Sequence, residues 1–468
     1  MPNTELDRRL IAVTPAPRQL ALQDMEFYAF VHFTVNTFTG REWGDGTEDP
    51  AVFNPAALDA DQWVAAVKSA GMTGLILTCK HHDGFCLWPS KLTEHTVAAS
   101  PWAGDVVGEV AAACKRGGIK FGVYLSPWDR NQPLYGTGKP YDDYFVGQLT
   151  ELLTHYGEIF CVWFDGACGE GPNGRRQYYD WERYYRVVRE LQPGATIHVC
   201  GPDVRWCGNE AGDTREAEWS VVPLRTKDTE KVAAASQQAD DAFRQRRISA
   251  RDRDLGSREI LADEQDLIWY PAEVNTSIRP GWFWHEEEDG QVKPLEKLID
   301  IYEKSVGGNA TFLPNIPPTR EGLFHENDVA RLRQFGAYLR EYYGRNLMDQ
   351  AALSASPAAP GHPIEEIRLA DEGWYYPARE GESAAIVARW DAPQTVRRVV
   401  IQEQLTLSQR VERWAVDVWK DGAWREAAAG KVIGHKRIVR LEGIETTALR
   451  VRIVDARVAP AIRFMGIY

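Results

Sequence analysis

The chain has 468 residues, 44% of them hydrophobic and 26% charged, which is enough for two or three globular units or for one large barrel and a smaller domain. Its 54 Lys and Arg residues against 67 Asp and Glu residues give a net charge of −13, without a basic run or stripe. This balance argues against nucleic acid or an anionic membrane surface as partner, because both require clustered positive charge.

The N-terminal segment and the cysteine residues bear on the environment of the protein. Residues 1–19 contain no apolar run like that of a secretory signal, so we expect a cytoplasmic protein for the chain as written, or a periplasmic or secreted one if a leader was trimmed. No apolar stretch reaches the roughly 18 residues of a membrane span. The seven Cys residues form no CxxC pair, so we expect mostly reduced, buried thiols.

From residue 27 to about residue 202, short apolar segments alternate with amphipathic ones. The predicted strands are Phe27–Phe33, Gly74–Lys80, Phe121–Ser126, Ile159–Asp165 and Thr196–Gly201. The predicted helices are Ala60–Ala70, Asp105–Arg116, Asp142–His155 and Tyr179–Leu191. Strands that alternate with helices of this length indicate βα units and a parallel sheet. The number of units favours an irregular (β/α)8-like barrel, although a doubly wound sheet has the same local pattern.

The regular pattern weakens after Pro202. Residues 203–267 are polar and include a charged, helix-like region around Asp240–Arg253, so we expect loops and insertions on the barrel rim. Two further helices, Leu295–Val306 and Glu326–Tyr343, are predicted to close the barrel, which we assign to residues 1–348.

The C-terminal part has a different composition and a different hydrophobic pattern. Residues 349–363 are rich in Ala, Pro and Ser, and they predict a linker. Beyond them, alternating segments such as Thr395–Glu403, Ala415–Lys420 and Ala448–Asp455 predict strands, and no helical pattern remains. Residues 364–468 therefore predict a small β-sandwich.

Polar side chains lie at the ends of four successive predicted strands. His32 ends the first, His81 and His82 follow the second, Tyr124 ends the third and Asp165 ends the fourth. Catalytic sites of parallel barrels are built at the carboxyl ends of several strands. We therefore expect these side chains to converge on one pocket.

Asp165 follows six apolar residues directly and precedes Gly166. A carboxylate in this position is costly to bury. It is either the N-cap of a following helix or a nucleophile that attacks the anomeric carbon of a sugar. The adjacent His81 and His82 point in different directions on an extended chain and lack a third ligand at suitable spacing, so we expect no metal. Neutral imidazoles that hold sugar hydroxyls explain the pair better, and a satisfied core histidine is the alternative for either one.

Further candidates lie on loops. Glu42 and Trp43 follow the first strand and are suited to grip hydroxyls and cover an apolar sugar face, or else form an ordinary loop acid beside a packed ring. A retaining glycosidase also needs a second carboxyl about 5–5.5 Å from the first. Glu210, just past the fifth strand, is the preferred candidate. The competing carboxyl groups are Asp203, Glu218 and Glu273.

Several motifs, in this order, resemble the α-L-fucosidases of glycoside hydrolase family 29 over about residues 20–345. They are Lys80-His81-His82-Asp83-Gly84-Phe85, Val162-Trp163-Phe164-Asp165-Gly166, Gly308-Asn309, Leu313-Pro314-Asn315-Ile316-Pro317-Pro318 and Arg320-Glu321-Gly322. The resemblance implies an irregular (β/α)8-like barrel and a retaining double displacement, with no metal or other cofactor. It places the nucleophile at Asp165. It implies sugar contacts from His32, Glu42, Trp43, His81, His82, Tyr124, Trp163 and Trp282.

The segment Arg205-Trp206-Cys207-Gly208-Asn209-Glu210-Ala211-Gly212 resembles the subgroup that cleaves α-1,3- and α-1,4-linked fucose from branched Lewis-type glycans, in which the acid/base falls on Glu210. The C-terminal unit resembles a galactose-binding-like sandwich. The expected partner is a fucosylated oligosaccharide or glycoconjugate, and the oligomeric state stays open. The alternatives are a fucose-binding protein without catalysis, an enzyme for another sugar such as an α-L-galactoside, and transglycosylation as the physiological role.

Overall fold

The computed structural model describes residues 4–236, 253–369, 373–377 and 384–468. The helix-like region predicted around Asp240–Arg253 lies, except for its last residue, outside the described residues. Among the described residues, no helix is both long and apolar enough to cross a membrane.

Ten strands belong to the N-terminal part of the chain. They are β1 Ala29–Val31, β2 Gly74–Lys80, β3 Lys120–Leu125, β4 Cys161–Phe164, β5 Thr196–Val199, β6 Arg205–Trp206, β7 Val221–Pro223, β8 Leu267–Trp269, β9 Ala272–Ser277 and β10 Ala310–Asn315. Eight of them form one parallel sheet in the order β5-β4-β3-β2-β1-β10-β9-β6. A parallel bridge between His198 and Val204 brings the two ends of this sheet together. The result is the expected (β/α)8-like barrel, nearly closed, with β7 and β8 paired separately.

Helices cover the outside of the barrel. They are Glu5–Ile11, Pro17–Met25, Val35–Thr39, Ala60–Ser69, Val106–Gly117, Lys139–His155, Trp181–Leu191, Thr229–Ala235, Arg258–Leu261, Leu295–Ser305 and Glu326–Tyr342. The helix Val106–Gly117 shows how the sequence sets such bounds. Asp105 caps its first turn by accepting the N–H of Gly108 at 2.8 Å, and Gly118 ends it at a left-handed φ of 68°.

The barrel is irregular where β5 continues into β6, because residues 200–204 connect these strands without a helix. The turn is tight. The N–H of Val199 bonds to the carbonyl of Val204 at 3.0 Å, and Val199 takes a φ of 64°, which is rare for a β-branched residue. Because this connection is short, the rim loop that carries Glu210 follows closely after β5 and β6 of the barrel wall.

Six strands form the C-terminal domain: β11 Ala352–Ala355, β12 Ala385–Glu403, β13 Val411–Lys420, β14 Ala423–Lys431, β15 Arg437–Ala456 and β16 Ile462–Ile467. They pair antiparallel in the order β11-β12-β15-β13-β14, with β16 beside β12. The long strand β12 pairs with β11 near its start and with β16 near its end, while β15 lies beside β12 along most of its length and beside β13 along its second part. The sheet encloses its own apolar core in a sandwich-like arrangement. Residues 352–355, inside the predicted linker 349–363, form a strand of this sheet.

Buried charges join the two domains. Glu303, on a barrel helix, has a side chain only 1% exposed and pairs with Arg398 at 3.0 Å and Arg440 at 2.6 Å. Glu26, just before β1, pairs with His435 at 2.9 Å and Lys436 at 2.6 Å. The C-terminal domain therefore supplies the counter-charges for carboxylates of the barrel.

Candidate active site

The carboxyl ends of β1 to β4 bring the predicted polar side chains together. The ring of His81 lies 4.0 Å from that of His82, 5.7 Å from that of His32 and 5.8 Å from that of Tyr124, measured between ring centroids. Tyr124 in turn donates a hydrogen bond from its hydroxyl group to Asp165 Oδ2 at 2.8 Å. These five side chains line one depression at the top of the barrel.

Asp165 is held at both carboxylate oxygens. Oδ2 accepts the Tyr124 hydroxyl, and Oδ1 accepts the backbone N–H of Ala167 at 2.8 Å. Burial raises the pKa of Asp165, and these bonds partly oppose the shift. No helix begins after Asp165; the next one starts at Trp181 and is capped by Asp180. The N-cap interpretation of Asp165 is therefore wrong, and 20% of its side chain stays exposed to the depression.

The hydrogen-bond partners of His82 fix its tautomer. Ser126 donates its hydroxyl to the carbonyl of Trp128 at 2.8 Å, so its oxygen accepts the N–H of His82 Nδ1 at 2.7 Å. Burial lowers the pKa of His82 to about 3, so the ring is neutral at pH 7. His82 Nε2 therefore presents a lone pair, 4.0 Å from Asp165 Oδ2.

Asn315, at the end of β10, does the same for His32. Its Nδ2 donates to the carbonyl of Trp282 at 2.8 Å and to Ser277 at 3.0 Å, so its Oδ1 is the atom that faces His32. That oxygen accepts both the backbone N–H of His32 at 3.1 Å and His32 Nδ1 at 2.8 Å. Because burial lowers the pKa of His32 to about 4, this ring is also neutral and leaves Nε2 as an acceptor.

His81 completes the set of histidines. Its Nδ1 lies 3.5 Å from the side-chain amide of Asn36. Burial and the neighbouring His82 and His32 lower the pKa of His81 well below its usual value. The three histidines are thus without charge, and two of them, His32 and His82, present Nε2 as an acceptor.

Aromatic rings form the walls. Trp163 stacks on Tyr124 with ring centroids 5.4 Å apart and an interplanar angle of 24°. Trp43 stands edge-on to His82 and to Trp128 at 5.2 and 5.5 Å. Trp128 was not among the predicted site residues. It follows β3 by only three residues, so its position at a strand end could have identified it.

Glu210 lies on the loop after β6 and is half-buried. Its Oε2 accepts the indole N–H of Trp282 at 2.7 Å. The Trp282 ring lies 5.0 Å from that of His32, which lies 5.9 Å from that of Tyr124, the partner of Asp165. Asp165 and Glu210 therefore contact opposite members of one continuous set of rings.

Glu218 and Asp203, two of the competing carboxyl groups, are engaged elsewhere. Glu218 is fully buried; burial alone would raise its pKa, but the charges of Arg205 and Arg215 outweigh burial and lower the pKa to about 2. Asp203 is 2% exposed and pairs with Arg18 and Arg189. Neither carboxylate is available to exchange a proton with a substrate.

Glu273 is the third competitor, and it lies inside the barrel wall with 1% exposure. It accepts bonds from Tyr28 at 2.5 Å, from His198 at 2.8 Å and from the indole of Trp163 at 2.8 Å. Burial acts to raise its pKa, but the charge and hydrogen bond of His198, with the other two donors, lower it. Glu273 therefore serves to hold Trp163.

The structure gives Glu42 partners that the sequence did not reveal. Its Oε2 accepts the backbone N–H of Trp282 at 2.8 Å, and its Oε1 accepts the N–H of Phe283 at 3.3 Å and His285 Nε2 at 2.8 Å. About a quarter of the Glu42 side chain remains exposed, and a carboxylate has about four lone-pair positions. It can therefore hold the loop and still accept a hydroxyl.

The described residues contain no cluster of three or more His, Cys, Asp or Glu side chains that could hold a metal ion. The depression combines two carboxylates, uncharged imidazoles and flat aromatic faces. Such a lining suits a neutral, polyhydroxylated ligand with one apolar face.

Comparisons with known proteins agree with this chemistry. The family model described as alpha-L-fucosidase matches residues 22–344. The protein named alpha-L-fucosidase 1 of Arabidopsis thaliana is 36% identical over 97% of this chain and 87% of its own. A solved structure of a glycoside hydrolase 29 family member from an unknown rumen bacterium, 37% identical, superposes with a TM-score of 0.79 over 97% of this chain and 77% of that chain. A Ruminococcus gnavus GH29 fucosidase in complex with fucose, 27% identical, gives 0.83 over 97% and 95%.

Proposed function

The chain belongs to the α-L-fucosidases of glycoside hydrolase family 29, and from this premise we propose that it releases terminal α-L-fucose by a retaining double displacement, with Asp165 as nucleophile and Glu210 as acid/base. The observation that carries the proposal is the continuous ring set Tyr124, His32 and Trp282, which contacts Asp165 at one end and Glu210 at the other. Two carboxyl groups around one sugar pocket are what this chemistry requires.

In the first step, an oxygen of Asp165 forms a bond to the anomeric carbon while the glycosidic C–O bond breaks. Glu210, protonated at this stage, gives its proton to the departing oxygen. In the second step Glu210, now a carboxylate, takes a proton from water, and the water oxygen displaces Asp165 from the anomeric carbon. The bonds from Tyr124 and Ala167 support this role because they orient the carboxylate before the sugar arrives.

The histidines suit the recognition of fucose hydroxyls. His32 Nε2 and His82 Nε2 are acceptors on neutral rings, so they receive hydroxyl protons without competing for the proton that Glu210 must carry. The faces of Trp163 and Trp282 suit the apolar side of the sugar.

For the linkage, we propose α-1,3- and α-1,4-linked fucose of branched Lewis-type glycans. The support is the segment Arg205–Gly212, which resembles the subgroup with this specificity and carries Glu210. The appropriate test compares phenyl and 4-nitrophenyl α-L-fucoside with fucosylated tri- and tetrasaccharides, and includes an α-L-galactoside. Rapid release from the branched glycans is expected; equal or faster release from the α-L-galactoside or from linear glycans would overturn the assignment.

The mechanism has its own test. NMR spectroscopy during the first turnovers should show α-L-fucose as the first product, because two displacements retain the configuration. The β-anomer as first product would refute the double displacement. Glu210→Ala should slow phenyl fucoside far more than 4-nitrophenyl fucoside, and azide should restore turnover with formation of the α-fucosyl azide. Equal losses on the two substrates would remove Glu210 from its proposed role.

A further inference from the structure

Trp282 is held at three points by residues from three different parts of the chain. Its backbone N–H bonds to Glu42 Oε2 at 2.8 Å, its carbonyl accepts Asn315 Nδ2 at 2.8 Å, and its indole N–H reaches Glu210 Oε2 at 2.7 Å. The first two bonds fix the peptide groups on both sides of the Trp282 Cα. They therefore fix the point from which the side chain extends, and the indole N–H connects this point to Glu210.

The turn that contains Trp282 is built around carboxylates. Three successive backbone N–H groups point at acids: Gly281 at Glu288, at 2.9 Å, and both Trp282 and Phe283 at Glu42. A Cβ atom on Gly281 would lie 2.8 Å from Glu42 Oε1, so glycine is needed for this close approach. The Glu42 carboxylate thus accepts from two successive backbone N–H groups of this turn.

His285 is a side-chain partner of Glu42. Its Nε2 donates to Glu42 Oε1 at 2.8 Å, and its side chain is 14% exposed. The hydrogen bond to Glu42 raises the pKa of His285, and Glu287 and Glu288 add to this effect. His285 lies in the same short segment as Trp282. Glu42 therefore binds this segment at two points, the backbone N–H of Trp282 and the side chain of His285.

We infer that His285 is a positioning residue for the proton-transfer step: through Glu42 it holds the backbone of Trp282, whose indole N–H places Glu210 and stabilises its carboxylate. This inference rests on the proposed role of Glu210. An N–H donated to a carboxylate favours the ionised form, and the indole of Trp282 makes such a bond to Glu210. The same Glu42 that suits a sugar hydroxyl thus also controls the geometry of the acid/base.

The test uses two substrates of nearly the same shape, phenyl and 4-nitrophenyl α-L-fucoside, which differ in how much the departing oxygen needs a proton. His285→Ala should lose about tenfold or more in kcat/KM on the phenyl substrate and less than about threefold on the nitrophenyl substrate. His285→Gln keeps an N–H donor near the position of Nε2 and should recover most of the loss. Trp282→Phe should show the same substrate dependence as His285→Ala.

A pH profile separates positioning from general damage to the fold. In Trp282→Phe and His285→Ala the alkaline limb of kcat/KM should move to higher pH, because Glu210 loses a donor to its carboxylate. His325→Ala is the matched control. It removes another His–carboxylate pair on the rim, His325 with Asp289 at 3.2 Å, and should leave both the substrate ratio and the limb as in the wild type.

Equal losses of His285→Ala on both substrates, or an unmoved alkaline limb, would overturn the inference. Glu210→Ala on the same substrate pair identifies which idea has failed. If Glu210→Ala loses more activity on the phenyl substrate than on the nitrophenyl substrate and His285→Ala does not, only the positioning role of His285 is refuted. If Glu210→Ala does not discriminate, the proposed acid/base itself is wrong.

Discussion

Tyr124 touches both the nucleophile candidate and its strand neighbour: its hydroxyl donates to Asp165 Oδ2 at 2.8 Å, while its ring stacks on Trp163, two residues before Asp165. Trp163 is in turn tied to the buried Glu273 by its indole N–H at 2.8 Å. The orientation of Asp165 is thus connected, through two aromatic rings, to a carboxylate inside the barrel wall.

Replacing Asp165 by Gly should abolish turnover of fucosides, with a loss of about 10³-fold or more, because the carboxylate proposed to form the covalent intermediate is removed. Azide should then restore some turnover and give β-fucosyl azide, since a single displacement inverts the configuration. Asp180→Asn is a suitable control, because Asp180 caps the next helix and Asn is also a good N-cap. Activity near the wild-type level in Asp165→Gly would show that another residue is the nucleophile.

Replacing Tyr124 by Phe should keep the stack on Trp163 and remove one donor to Asp165. Burial already raises the pKa of Asp165 and the Tyr124 bond opposes it, so the variant should have a still higher pKa. The proposed nucleophile must be a carboxylate to attack, so the acidic limb of kcat/KM should move to higher pH. We expect a loss of about 10- to 100-fold near the acidic limb. A pH profile with an unchanged acidic limb would contradict this role of Tyr124.

Replacing Glu273 by Gln should lower the stability and leave the proton-transfer step intact. Glu273 accepts three buried donors, one of them His198, so we expect the free energy of unfolding to fall by about 1–3 kcal/mol. Thermal melting measures this loss. The ratio of the rates on phenyl and 4-nitrophenyl fucoside should stay at the wild-type value, and a large change in that ratio would make Glu273 the acid/base after all.

Replacing Glu26 by Gln should remove a pH-dependent contribution to stability. Burial acts to raise the pKa of Glu26, but Lys436 and His435 outweigh it and lower the pKa to about 2, from 4.5 in the unfolded chain. The stabilisation, about 3 kcal/mol at most, is fully present above pH 4.5 and is lost as the pH falls towards 2. Denaturant titrations at pH 7 and pH 3.5 should show a larger difference between wild type and variant at pH 7. An equal difference at both values would mean that the charge pair does not contribute.

Local pattern was enough to predict much of the barrel. The strand Gly74–Lys80 has the predicted bounds and the helix Ala60–Ser69 begins at the predicted residue, since hydrophobic pattern and capping act within a few residues. The convergence of His32, His81, Tyr124 and Asp165 followed from one geometric rule about strand ends. β6, β9 and β10 were not predicted. β6 is only two residues long, and the polar sequence of β9 forms a buried strand only in the context of the barrel.

The contacts of Glu210 and Glu42 could not be read from the sequence. Trp282 is 72 residues from Glu210 and 240 from Glu42, and only the closed barrel brings these loops together. For the same reason, the sequence left Glu273 as a competitor of Glu210 for proton transfer, and its three buried partners became visible only in the structure. β11 was missed because four half-exposed residues in an Ala- and Ser-rich segment carry no strand pattern of their own.

The charge pairs of Glu303 with Arg398 and Arg440 restrict how this enzyme can be rebuilt. A chain truncated near residue 348 would leave the Glu303 carboxylate without either guanidinium group, on a surface shaped to be covered. Exchanging the C-terminal domain for another one would leave the same carboxylate unpaired unless the new domain supplied equivalent guanidinium groups. The barrel and the C-terminal sheet should therefore be kept together when the enzyme is engineered.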